Sequence, residues 1–229
     1  MTVYSHHFRP STYTTMLLRV ITEHCPGLPM DRVLDVGVGS GIFLSELGHL
    51  GAHELWGVDI DPEALTVSDS LLNVEAASTP RYLLEGDMWE PLPSTLKFNV
   101  IVANLPHFPA RVIQSDRPET WAGGNGRNMM DRFIQALPER LKHDGVAFVT
   151  HHDLVGFQHT TQSIRTAGLV FETMTIWTVF ETPERMGAVS EQTLAAAGES
   201  LRYRGGYAFV DARVLAIRPG PDLKLQLVA

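Results

Sequence analysis

The sequence predicts an α/β fold, an open and mostly parallel Rossmann-like sheet of seven strands with helices on both faces. Three observations lead there. The stretch Val33-Leu-Asp-Val-Gly-Val-Gly-Ser-Gly41 passes from an apolar, β-branched run through a glycine turn into helical spacing. Apolar strand-like runs then alternate with helical stretches along most of the chain. Acids stand where several of those runs end, at the edge where open α/β sheets bind ligands.

Taken in order, residues 11–24 carry Tyr13, Leu17, Val20 and Ile21 at helical spacing, between Pro10-Ser11 and the stop at Pro26-Gly27-Leu28-Pro29. Residues 33–36 form the first strand. Gly37, Gly39 and Gly41 let the backbone bend sharply and approach a ligand, and Phe43, Leu44, Leu47 and Leu50 mark the helix that follows. Asp35 precedes the first glycine by two residues. A carboxylate there would repel a pyrophosphate but suits a cationic ligand; tying down the turn is its structural alternative.

Residues 54–59 form the second strand, and Asp61 caps a helix over 62–74 with Pro62 in its first turn. Asp59 falls 22 positions after Gly37 (59 − 37), about where an acid binds a ribose in such folds. A third strand over 81–85 leads to Gly86-Asp87-Met88. There Asp87 can bond an exocyclic amine and Met88 can pack on its ring, unless Asp87 only shapes the turn. Residues 98–103 are the fourth strand, stopped by Asn104-Leu105-Pro106-His107-Phe108-Pro109, a stiff loop with two prolines. After a glycine-rich turn (residues 121–127) come a helix over 128–141, a fifth strand over 145–150 and a helix over 156–167. A sixth strand spans 170–180 and a seventh 207–217. No boundary divides the chain, so residues 1–229 are expected to form one domain. Residues 1–30 are its N-terminal helical element and 181–206 an insertion, in which Val189, Leu194, Ala197 and Leu201 are expected to form the apolar face of a helical stretch.

Composition narrows the function classes. With 44% hydrophobic and 19% charged residues, the 229-residue chain suits a globular domain. No apolar run approaches the roughly 18 to 20 residues of a membrane span. Met1 to Pro10 is polar, which argues against a secretory signal. The single Cys25 rules out an internal disulfide and fits a reducing cytoplasm. A net charge of −8 weighs against a nucleic-acid partner, and an oligomer is compatible with the sequence. His151-His152-Asp153, with His6 and His7, lacks a metal-ligand spacing; no metal is expected, and a polar pocket lining suits the pair better.

Together the glycine turn, Asp59, Gly86-Asp87-Met88 and Asn104-Leu-Pro-His107 resemble the successive motifs of the class I S-adenosylmethionine-dependent methyltransferases. The Asn104 loop resembles the Asn/Asp-Pro-Pro-aromatic loop of enzymes that methylate planar nitrogens. Leu105 replaces its first proline and His107 its aromatic residue. Gly123-Gly-Asn-Gly126 and Phe8-Arg-Pro-Ser-Thr-Tyr13 resemble elements of the protein-glutamine amide (HemK-like) branch. That branch's bacterial release-factor enzymes have a separate N-terminal substrate-binding domain, for which this sequence shows no counterpart. The resemblance implies a last strand antiparallel to the rest and S-adenosylmethionine as cofactor. It implies a cofactor site of Tyr13, Asp35, Gly37, Gly39, Gly41, Asp59, Ile60, Asp87, Met88 and Asn104.

A planar nitrogen is a poor nucleophile because its lone pair is delocalised. The Asn104 side-chain oxygen and the Leu105 carbonyl can hold its two N–H groups. Pro106 stiffens the loop, and His107 or Phe108 would stack on the acceptor. His107 can also act as a base at its ordinary pKa of about 6.5. The expected activity is therefore N-methylation of an amide, amine or heterocycle, on a small molecule or a protein side chain, with a slight lean to the former. A nucleic-acid base methyltransferase and a non-catalytic partner subunit of the same fold are the alternatives.

Overall fold

A computed structural model describes residues 9–109 and 125–221 of the chain. His6, His7, Phe8, Gly123 and Gly124 lie outside the described residues. The elements run α1 (Thr12–His24), β1 (Arg32–Val36), α2 (Ile42–His49), β2 (Glu54–Asp59), α3 (Pro62–Glu75), β3 (Arg81–Glu85) and β4 (Phe98–Ala103). After them come α4 (Asn128–Arg140), β5 (Leu141–His152), α5 (Phe157–Thr166), β6 (Leu169–Glu181), α6 (Pro183–Gly187), α7 (Glu191–Ala197), β7 (Leu201–Arg204) and β8 (Tyr207–Pro219).

Local signals fix several of these ends. Ser11 caps α1 with a reciprocal bond pair to Thr14. Asp61 accepts from the Glu63 amide at 2.8 Å with Pro62 in the first turn of α3, as the sequence predicts. The sheet order is β3-β2-β1-β4-β5-β8-β6, with β1 to β5 parallel and β8 antiparallel to both β5 and β6. Strand order reverses between β1 and β4, the switch point at which such sheets open a crevice. There Val36 is paired with Ala103, so the glycine turn and the Asn104 loop leave neighbouring strands at one level.

Apolar clusters cover both faces. Met16, Leu17, Val20 and Ile21 of α1 pack with Phe43, Leu44 and Leu47 of α2 on one face. Met130, Phe133, Ile134 and Leu137 of α4 pack with Ile164 of α5 on the other. Phe133 is fully buried, so Phe133→Ala would cost about 3 to 5 kcal/mol.

Three expectations need correction. The fifth strand begins at Leu141 rather than Gly145, because Leu141 pairs with Phe98 before a register shift in the ladder. That pairing ends α4 one residue earlier than expected. The sheet has eight strands, because β7 forms a hairpin with β8 inside the insertion. The stretch of Val189, Leu194, Ala197 and Leu201, expected to share one helical face, is split between the α6–α7 turn, α7 and β7. These side chains nevertheless cluster with Phe108, Leu154, Met186, Ala208 and Val210, which docks the insertion on the loop after β4.

Gly41 caps α2 at φ 79°, and a Cβ there would overlap the Ser68 hydroxyl and crowd its backbone in α3. Gly41→Ala should therefore lower thermal stability by more than the roughly 1 to 2 kcal/mol of left-handed strain alone. Adding Ser68→Gly should recover only part of the loss in a thermal melt. Unchanged melting of the single variant would contradict this packing.

Candidate functional site

The glycine turn is held open by backbone bonds: the Gly37 and Val38 amides donate to the Val58 carbonyl at 2.8 and 3.0 Å. Gly37 also has positive φ, and among the described residues a Cβ there would meet no atom within 4 Å. Asp59 ties the turn to β2, accepting from the Gly39 amide at 2.9 Å and the Asp61 amide at 3.0 Å. Each carboxylate oxygen keeps a further acceptor position. Burial raises the Asp59 carboxyl above its usual range, against the lowering effect of these amides.

Asp35 lies under this turn with no exposed surface, and neither carboxylate oxygen has a hydrogen-bond partner among the described residues. Burial, and then the neighbouring Asp59 carboxylate, push its carboxyl well above the usual range. An orphaned carboxyl of this kind fits a ligand that brings a cation or several N–H donors. Ile60, beside Asp59, is 54% exposed at the rim. Met88 is buried at a positive φ of 53°, and Asp87 pairs at 3.0 Å with Arg132, a partner brought in from α4.

At the end of β4, the Asn104 side-chain oxygen accepts from the Thr150 hydroxyl at 2.8 Å. The Leu105 carbonyl lies 2.7 Å from His107 Nδ1. A carbonyl only accepts, so His107 carries its proton on Nδ1. The expectation of a base with an ordinary pKa fails here. Burial, and next the neighbouring His152, lower the His107 imidazole to about 3, which leaves it neutral. The ring stacks on His152 (centroids 5.6 Å, planes 14° apart) and meets the Tyr13 edge at 4.6 Å.

Side chains alternate along the strands, so Asp35, Asn104, Thr150 and His152 all lie on the sheet face that α1 covers. Tyr13 belongs to this group but sits against His107 and His152, beyond the end of β4. Its hydroxyl is pushed up by burial and then by the Glu181 carboxylate. His152 bonds Glu181 at 3.0 Å, and Arg185 of α6 pairs with Glu181 at 2.8 Å while covering the Phe108 ring at 4.1 Å. His151 faces the opposite way, bonded to Asp153 at 3.1 Å and Thr160 at 2.9 Å. Both histidines are thus locked inside rather than lining an open pocket, and no cluster able to hold a metal occurs among the described residues. Cys25 is buried with its thiol pushed up to about 12, unsuited to attack. Sequence reasoning missed Thr150, Glu181, Arg132 and Arg185, all brought in by tertiary pairing.

Comparisons with known proteins identify the family of the chain. Residues 12–115 match the family model described as ribosomal protein L11 methyltransferase. A Methanocaldococcus jannaschii protein, provisionally named a protein N5-glutamine methyltransferase, is 33% identical over 169 residues, 72% of this chain and 82% of that protein. A release factor glutamine methyltransferase of Gloeobacter violaceus is 31% identical over 141 residues, 58% of this chain, and the chain spans 49% of its length. Among solved structures, the E. cuniculi Mtq2–Trm112 complex, described as responsible for methylation of eRF1, superposes with TM-score 0.61 at 16% identity. It covers 93% of this chain and 98% of the matched one. The chain belongs to the class I S-adenosylmethionine-dependent methyltransferases and takes S-adenosylmethionine as its cofactor. Among the described residues no helix is long and apolar enough to cross a membrane.

If Asp59 accepts the ribose hydroxyls, Asp59→Ala should weaken cofactor binding by about 1.5 to 3 kcal/mol in calorimetry. Unchanged affinity would remove it from the site. If the raised Asp35 carboxyl ionises against the cofactor's cationic end, binding should release protons at pH values below its free-state pKa, and affinity should rise with pH. Buffers of different ionisation enthalpy would show that release, and Asp35→Asn should abolish it.

His107 gives a separate, stability-based expectation. The unfolded chain protonates this ring near pH 6.5 and the folded chain only near 3, so stability falls as pH drops between those values. The slope contribution is at most about 1.4 kcal/mol per pH unit for one proton. Denaturant melts of His107→Phe should show a shallower acid slope than the native chain, and an equal slope would refute the assignment.

Proposed function

We propose that this methyltransferase acts on a planar side-chain nitrogen of a protein, the amide of a glutamine, above the ends of β1, β4 and β5. The observation that carries the reading is the pair of acceptors on consecutive residues at the switch point, the Asn104 side-chain oxygen and the Leu105 carbonyl. They leave β4 beside the glycine turn that leaves β1. S-adenosylmethionine, when bound, supplies an electrophilic methyl group on a sulfonium sulfur.

The chain's own part is to hold and orient the nucleophile. Two oxygens accept the two amide N–H groups and point the nitrogen lone pair along the transfer direction. They also favour the positive charge that grows on nitrogen as the new N–C bond forms. Pro106 keeps the loop stiff, and Phe108, covered by Arg185 and the insertion, forms an apolar wall beside it. Residues 181–206 in this reading shape one side of the acceptor pocket.

The sequence alone left a small molecule and a protein side chain open. Relatives named for glutamine methylation support the protein acceptor. A glutamine-containing peptide incubated with radiolabelled cofactor should take up label, and hydrolysis should yield N5-methylglutamine. Label on a lysine peptide, a small amine or RNA instead would overturn the amide reading. Asn104→Ala should cut peptide turnover about a hundredfold while cofactor affinity stays within about twofold. An equal fall in both would make the loop part of the cofactor wall only.

A further inference from the structure

We infer that Thr150 and His107 are positioning residues, each donating one hydrogen bond to one of the two carbonyl oxygens that orient the acceptor nitrogen. The inference rests on the amide reading above and assigns roles that reading did not include.

Each oxygen has two lone pairs, and the fold fills one of them on each. Thr150 Oγ1 donates to the Asn104 oxygen at 2.8 Å from a fully buried position. His107 Nδ1 donates to the Leu105 carbonyl at 2.7 Å. What remains on each oxygen is one acceptor direction set by an internal donor. A carboxamide has two N–H groups to place, which matches two single remaining acceptor positions.

The His107 bond also explains an irregularity of the loop. A proline at position 105 would fix φ near −65°, and leucine does not. Here the bond from His107 closes Leu105 to His107 and restrains the carbonyl through a side chain. The ring is itself held by Tyr13 at its edge and His152 on its face, with His152 anchored on Glu181. Thr150 arrives by register: Ala103 pairs with Val149, so the next residues, Asn104 and Thr150, are neighbours on one face.

The test uses the full chain with a glutamine peptide as acceptor and S-adenosylhomocysteine as the binding probe. Thr150→Val, nearly isosteric, should lower kcat about tenfold, the rate equivalent of one hydrogen bond, and Thr150→Ser should keep near-native turnover. His107→Phe should show a similar loss, and adding Leu105→Pro should restore most of it. S-adenosylhomocysteine affinity should stay native in all of them. Independently of activity, nitrogen-15 shifts of the His107 ring should show the proton on Nδ1 only.

Native turnover in both Thr150→Val and His107→Phe, with the peptide methylated by the native chain, would overturn this inference alone. Loss of S-adenosylhomocysteine affinity alongside turnover would do the same, since it marks a purely structural role. A proton on Nε2, or no recovery with Leu105→Pro, would remove His107 from it. No methylation of the peptide by the native chain would overturn the amide reading and this inference with it.

Discussion

The parallel pairing of β1 with β4 is the constraint on which the site depends. With Val36 opposite Ala103, the glycine turn and the Asn104 loop emerge side by side where strand order reverses. A slip of one residue between these strands would set Asp35 and Asn104 on opposite faces of the sheet, so that only one would face α1. The register is held by side chains of both core layers: Val33, Val100 and Val102 on one face, and Leu34, Ile101 and Ala103 on the other, all fully buried. The relative placement of the glycine turn and the Asn104 loop is thus set by the apolar interior.

What was legible in the sequence was local. The strand before the glycine turn, the Asp61–Pro62 start of α3 and the ends of β2, β3 and β4 each have signals within a few residues. So do most of the candidate site positions, because strand ends in this fold bear the ligand-facing side chains. What was not legible depends on pairing across the sheet. Thr150 looks like an ordinary strand residue until register sets it against Asn104. Glu181 reads as the first residue of the insertion, yet it ends β6, buried and bonded to His152. The pKa of His107 could not be read either, since the type of residue says nothing of the burial that lowers it. The strand β7 was hidden because Leu201 has helical spacing to Leu194 and Ala197, and only pairing with β8 decides against it.

Beyond the strand ends the interior becomes polar, and this costs desolvation that must be met by partners. Asp153 shows the solution. Burial works against its charge, yet His151, Arg213 and Ser200 hold the carboxyl down at about 2. Arg213 contacts both carboxylate oxygens, and Ser200 binds from the insertion at 2.8 Å. A buried ion pair of this kind adds little net stability compared with an apolar substitute, but removing one partner is expensive. Its effect is to fix where the residues after α7 sit. Arg185 does the same for α6 through Glu181 and Phe108. The insertion is therefore tied to the sheet by ionic as well as apolar contacts, at the edge that carries Asn104.

The charges around the site bear on which nucleophile suits it. Asp35 places an acidic group under the glycine turn, where it would suit the cationic end of the cofactor. On the side of Asn104 the rings of His107 and His152 face one another, and His107 is held neutral at about 3. A lysine ammonium would have to lose a proton before it could attack, and the ring beside the loop is too weak a base to take one. The Glu181 carboxylate is already engaged by His152 and Arg185. An amide enters neutral and needs only orientation and acceptors for its N–H groups. It sheds its extra proton after methyl transfer, when the nitrogen has become strongly acidic and any water suffices. A neutral ring at His107 is thus compatible with the proposed glutamine amide, which needs no base before transfer.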